Sequence, residues 1–203
     1  MTTIDPKKDV EIVISRYNED ISWVEPYLDR CTIYNKGEDN INYPSIKLPN
    51  IGREQHTLFY HIYNNYDNLP NYLIFLQGIP FNHFHKRILK YIDAIIDPKT
   101  RSLVKAEDPD LIPFTNWIKT MYLTTENVGE CNMFEMYARI FKSEPQFEQF
   151  EYAPCGQFCI SKKRIKKRSK TFYKNILKIF DDNLVDNNDY AFCLQKFDSL
   201  IFS

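Results

Sequence analysis

Three short apolar runs most constrain the fold of this chain: VEIVIS at 10–15, CTIYN at 31–35 and YLIFL at 72–76. Each is four to eight residues long, rich in β-branched or aromatic side chains, and closed by a polar or glycine-containing loop, which is the pattern of buried strands. Between them lie amphipathic stretches. From Gly52 the positions Leu58, Phe59, Ile62, Tyr63 and Tyr66 recur at helical spacing, so GREQHTLFYHIYNNY reads as a helix with one apolar stripe. Helices are likewise predicted over 84–96, 132–142 and 189–202. A further helix is predicted from Ser22, where Glu25 stands three positions on in a capping-box arrangement. QFCI at 157–160 reads as a strand. Strand and helix alternation implies an α/β fold of three layers, with a mainly parallel mixed sheet flanked by helices.

The stretch 97–113, with three prolines and no sustained apolar period, reads as an excursion from that core. The end of a largely parallel sheet is where ligands bind, beyond the carboxyl termini of the strands. That rule selects the loops Arg16 to Asp20, Asn35 to Gly37 and Gln77 to Asn82.

Composition excludes several classes. An aromatic content of 15% and a formal net charge of -1 oppose intrinsic disorder. No membrane-spanning run and no apolar leader stretch are present, so the chain reads as cytoplasmic. The five cysteines, Cys31, Cys131, Cys155, Cys159 and Cys193, contain no CxxC pair and read as buried reduced thiols. Five glycines assemble neither GxGxxG nor GxxxxGK[ST], which excludes glycine-loop phosphate cradles. The charge is polarised. Residues 161–180 hold nine of the 26 basic residues and none of the 27 acidic ones, leaving 17 basic against 27 acidic elsewhere, a net of -10. Ile165, Phe172, Ile176, Ile179 and Phe180 run through that segment at helical spacing, which describes a docked helix with a cationic outer face. A nucleic-acid contact through 162–178 is the competing reading.

The set SRYNED, YNKG, LPNIGREQHT, NYDNLP, IFLQGIPF and CGQF resembles, in that order and over about residues 9–202, the nucleotide-sugar-dependent glycosyltransferases of the A-type fold. The likeness is closest to a smaller family that includes a chlorella-virus (chlorovirus) glycosyltransferase domain. The resemblance implies one nucleotide-diphospho-sugar transferase domain over 1–203, in a protein of the host cytoplasm if it is viral. It implies transfer of a sugar from a UDP-sugar such as UDP-glucose to a glycan or glycoprotein acceptor, with inversion, assisted by Mn2+ or Mg2+ and without nucleic acid. The end at Phe202-Ser203, directly out of a helix, leaves room for a longer parent chain.

Under this resemblance the nucleotide is expected against Ser15, Arg16, Tyr17, Asn35, Asn50, Gly52, Arg53, Gln77 and Gly78. Arg53 suits phosphate because a fixed charge at a helix start adds to free backbone N–H groups. Family members carry Asp-x-Asp after the strand that here reads YLIFL. This chain has Gln77-Gly78-Ile79, so a cation is expected mainly through the phosphates, with Gln77 and His83 as candidate ligands. An inverting transferase needs a carboxylate to deprotonate the acceptor hydroxyl, and Asp189, before the last helix, matches the family position. Glu19 and Asp20 are alternatives. A catalytically inactive nucleotide-sugar module is the second functional reading, supported by the absent Asp-x-Asp and by Gln195, which stands where the family implies a Glu; Asp198 stands where it implies an aromatic.

Overall fold

A computed structural model describes residues 6–82, 87–104, 108–115, 118–123, 127–128, 131–154, 156–181 and 187–203. After a short α1 (Pro6–Asp9), β1 (Val10–Arg16) has all seven residues buried, as its unbroken apolar run requires. A 3-10 helix over Ser22–Arg30 leads to β2 (Cys31–Asn35) and the two-residue β3 (Ile46–Lys47). α2 (Arg53–Asn65) returns the chain to β4 (Tyr72–Gln77). α3 (Ile88–Ile96), α4 (Pro98–Arg101) and β5 (Leu111–Pro113) follow. Two minor strand pairs come next, formed by β6 (Lys119–Tyr122) with β9 (Gln149–Tyr152), and by β7 (Asn127–Val128) with β8 (Cys131–Asn132); α5 (Met133–Phe141) lies between β8 and β9 in the chain. β10 (Phe158–Ser161), α6 (Lys162–Ile165), α7 (Lys170–Asp181), α8 (Asn187–Lys196) and α9 (Asp198–Ile201) complete it.

The main sheet has the order β3-β2-β1-β4-β10-β5, parallel from β3 to β4, with β10 antiparallel to both neighbours. Helices cover both faces. Alternation along the strands divides the core: Ile12, Ile14, Ile74 and Leu76 pack with Val24, Tyr27, Ile88, Ile92 and Ile95, whereas Val13, Leu73 and Phe75 pack with α2, α5, α7 and α8. The α/β mixed-sheet expectation therefore holds.

Four local expectations are corrected. The Ser22 capping box is replaced by Asp20, whose carboxylate accepts from both the backbone N and the Oγ of Ser22, and Pro26 lies within a 3-10 rather than an α-helix. The 97–113 stretch contributes α4 and the sheet's edge strand β5. The basic segment is two helices with a turn at 166–169, and the last helix breaks at Phe197.

Five of the nine basic side chains of this segment find partners within the fold. Lys163 pairs with Asp110, Arg164 with Asp108, and Lys170 with Asp67. Arg168 donates to the Leu200 and Ile201 carbonyls, and Lys166 sits 3.6 Å from the centre of the Tyr66 ring. These contacts tie the acidic loops and the chain end to α6 and α7. Cys159 and Cys193 are buried free thiols, and burial pushes Cys159 and the partly buried Cys31 up to about 12. Among the described residues no helix is long and apolar enough to cross a membrane.

Candidate functional site

From β1 the chain goes to β2 and β3 on one side and comes back through α2 to β4 on the other. The carboxyl ends of β1 and β4 thus diverge at a topological switch point, and a crevice of about 310 Å3 opens there. Ser15, Arg16 and Tyr17 from the end of β1, Asn50 and Arg53 from the start of α2, and Gln77 from the end of β4 line it. Six of the nine expected nucleotide contacts are therefore brought together. Glu19, Lys36, Glu54, Ile79 and Asn82 line the crevice as well.

The residues differ in what they offer. Tyr17 leaves its ring half exposed at the mouth, while its backbone N donates to the Glu19 carboxylate at 2.6 Å. Ser15 shares a 2.9 Å hydroxyl contact with Thr57, which fixes β1 to α2. Arg16 is buried, and its guanidinium donates to the carbonyls of Tyr17, Glu19 and Glu38 and to the side chains of Asn35 and Asn40. It is a brace under the mouth. Asn35, 1% exposed, accepts from Arg16 and the Gly37 backbone and donates to Glu38 and Asp39, and it does not line the crevice. Gly78 lies under Glu19 and accepts from the Trp23 indole at 2.8 Å.

Two glycines are required by shape. A Cβ on Gly37 would overlap the Tyr17 carbonyl oxygen. Gly37→Ala is therefore expected to cost about 1–3 kcal/mol through displacement of the loop, read as a lowered thermal midpoint together with weaker ligand binding at the crevice. Gly52 has φ +57°, and Arg53 follows at +46°. A non-glycine residue in this region costs on the order of 1–3 kcal/mol and needs over-determining contacts. Lys36 supplies them: its Nζ donates to the Ile51 carbonyl at 2.7 Å and to the Arg53 carbonyl.

Lys36 is 6% exposed, and burial pushes its ammonium down to about 7, with the Glu54 carboxylate opposing that shift. Burial and the Lys36 charge push His56 down to about 3, so its imidazole is neutral at physiological pH. The Arg53 guanidinium lies 4.3 Å above the Phe192 ring, and its Nε is 3.5 Å from Glu54. Two cations, one buried and one stacked, therefore flank the first turn of α2, where backbone N–H groups favour an anion.

Asp189 sits in the first turn of α8, three residues before Phe192 and so on the same helix face. It does not line the crevice. Behind the crevice, Gln195 donates to Glu54 at 3.4 Å, Gln55 donates to Asp198 at 3.0 Å, and both amides crowd Gly156, which has φ +55°. Burial raises the Asp198 carboxyl well above the usual range, against the Gln55 hydrogen bond and with the help of the Glu54 charge.

Residues 12–203 match the model of a family described as a protein of unknown function, DUF3431. The chain belongs to the DUF3431 family. No curated protein matches it. The match runs from within β1 to the last residue, so the strand ends, α2 and α8 that build the crevice all lie in the DUF3431 region.

Among the described residues of this DUF3431 domain, no three His, Cys, Asp or Glu side chains come together as a metal group. Hard oxygen donors are nevertheless present in the crevice, in the Gln77 amide and the carboxylates of Glu19 and Glu54. His83 lies outside the described residues. Sequence reading missed Lys36 and Glu54 as crevice residues. Lys36 carried a signal, since it stands between the end of β2 and Gly37 at the expected ligand end of the sheet.

Proposed function

We propose that this DUF3431 protein is a glycosyltransferase of the A-type fold that moves a sugar from a UDP-sugar to a glycan acceptor with inversion. The observation that carries this reading is the crevice at the β1/β4 switch point, where the α2 N-terminus, Arg53 and Lys36 offer positive potential without a glycine cradle. The uracil stacks against Tyr17 at the mouth. The diphosphate lies toward Arg53, Lys36 and the α2 backbone. Mn2+ or Mg2+ would neutralise the diphosphate when bound, and the crevice side chains that would hold it are Gln77, Glu19 and Glu54.

In the chemical step the acceptor hydroxyl gives its proton to a carboxylate, for which Asp189 is the candidate. The hydroxyl oxygen bonds to the anomeric carbon as the bond to the β-phosphate oxygen breaks, and the electron pair leaves with UDP. Arg53 and Lys36 meet the charge that develops on the leaving diphosphate. One observation favours a second reading, a binding module without turnover: Asp189 stands outside the crevice lining. Transfer assayed with UDP-sugars and Mn2+ separates the two.

The donor class is tested by thermal shift with UDP, GDP and CMP, each with and without Mn2+. UDP at about 100 times its Kd should stabilise the fold by about 2.7 kcal/mol, more with Mn2+ than without. Arg53→Ala should raise the Kd for UDP by about tenfold or more, the loss of one charge-assisted phosphate contact. Equal shifts with GDP and CMP, or none with UDP, would overturn the assignment.

A further inference from the structure

A second cavity, of about 410 Å3, lies between the β5–β10 edge of the main sheet and the layer formed by β9 and α9. Its walls are largely apolar, with Leu111, Pro113, Ile118, Tyr152 and Phe158. Its acidic groups are Asp108, Glu151 and Asp198, and among the described residues no Lys, Arg or His lines it. Asp108 is committed to Arg164. The exposed Glu151 carboxylate has no partner among the described residues. Asp198 is 7% exposed, its Oδ2 accepts from Gln55, and its buried Oδ1 has no hydrogen-bond partner among the described residues. A buried polar atom without a partner is rare enough to call for an explanation.

Gln157 joins this cavity to the crevice. It lines the cavity, its Oε1 accepts from the Gln77 backbone N at 3.1 Å, and its Nε2 donates to the Pro80 carbonyl at 3.4 Å. A ligand resting on Gln157 is thus one side chain away from the loop that closes the crevice. Apolar walls with a few carboxyl groups suit a pyranose ring, whose C–H faces pack on aromatic and aliphatic surface while its hydroxyls hydrogen-bond to acids. The carboxylate of an acidic sugar would face Glu151, which no cation pairs among the described residues.

We propose that this cavity is the acceptor site and takes a neutral pyranoside ring, excluding uronic acids. The proposal deepens the transferase reading and rests on it for the word acceptor. Burial favours the neutral form of Asp198, which leaves the exposed Glu151 side chain as the wall's acceptor for ring hydroxyls.

The test is binding of methyl glucoside, galactoside, mannoside and xyloside, and of methyl glucuronide, to the full chain by saturation-transfer NMR. UDP binding is measured on the same samples. At least one neutral glycoside should bind, with methyl glucuronide about tenfold weaker than methyl glucoside, and Glu151→Gln should narrow that gap. Ala153→Trp, which fills the cavity, should abolish glycoside binding and leave the UDP affinity within about twofold; if that variant does not fold, the Glu151→Gln comparison decides. Absence of neutral-glycoside binding, equal binding of the glucuronide, or unchanged binding in folded Ala153→Trp overturns the cavity assignment. Glycoside binding without any UDP effect instead sinks the transferase reading and leaves the cavity as a sugar site.

Discussion

Asp189→Asn is expected to lower kcat for sugar transfer by about 10²–10⁴-fold, the usual worth of a general base, while the Kd for the UDP-sugar changes by less than about twofold. The amide is isosteric with the carboxylate and sits in the first turn of α8, so the helix start keeps its shape but loses its proton acceptor. Glu19→Gln is the control. Glu19 receives the Tyr17 backbone N at 2.6 Å, and a glutamine oxygen still accepts that bond. If Glu19 only shapes the loop and holds no metal ion, its variant retains most of the wild-type rate, and a loss that added Mn2+ restores assigns Glu19 to the metal rather than to proton transfer. A result in which Asp189→Asn turns over at the wild-type rate and Glu19→Gln does not would move the base to Glu19, a residue already in the crevice. Initial rates at saturating donor, paired with donor affinity by calorimetry, distinguish the two.

Lys36 predicts opposite pH dependences for binding and for stability. Its ammonium is held down to about 7 by burial, and a diphosphate beside it favours the charged form. Affinity for a UDP-sugar, whose phosphodiester groups do not titrate near neutrality, is therefore flat at low pH. It weakens as pH rises above about 7, by up to about tenfold per pH unit until the bound-state pKa is reached. Stability of the free protein runs the other way. Between about pH 7 and about pH 10 the unfolded chain holds a proton that the folded chain has shed, so unfolding becomes less favourable as pH rises. His56, held neutral beside Lys36 by burial and by the Lys36 charge, does not change charge in that window. Lys36→Met should flatten both profiles and weaken donor binding about tenfold or more below pH 7. Calorimetry and thermal melts across that range are the measurements. A binding profile in the wild type that stays flat through pH 8.5 would mean that Lys36 does not face the ligand.

The sheet was legible because its strands are buried on both faces and so need no partner to explain their composition. VEIVIS and YLIFL became β1 and β4 in register, Ile12 beside Ile74 and Ile14 beside Leu76. β5 was hidden because three residues ending in Pro113 carry no period, and only pairing to β10 makes them a strand. α2 was recognised by the stripe from Leu58 to Tyr66, yet the fold also buries Glu54, Gln55, His56, Thr57 and His61. Those polar positions are covered because α2 lies between the sheet and the C-terminal helices, and the hydrogen-bonding partners of Glu54, Gln55, Thr57 and His61 come from distant parts of the chain.

The same division runs through the site. Tyr17, Arg53 and Gln77 were placed from the sequence alone because strand ends and a helix start are local features, set by where an apolar run stops. Tertiary structure alone decided which of the neighbouring polar residues face the crevice. It turned Asn35 inward, away from the crevice, and committed the Arg16 guanidinium to it, because buried donors and acceptors must be paired. It also brought Lys36 beneath Arg53 and set Phe192 against the Arg53 guanidinium. Local pattern fixes an element's type and its ends; the electrostatics of a crevice depend on burial and on partners tens to more than a hundred residues away, which exist only once the layers have packed.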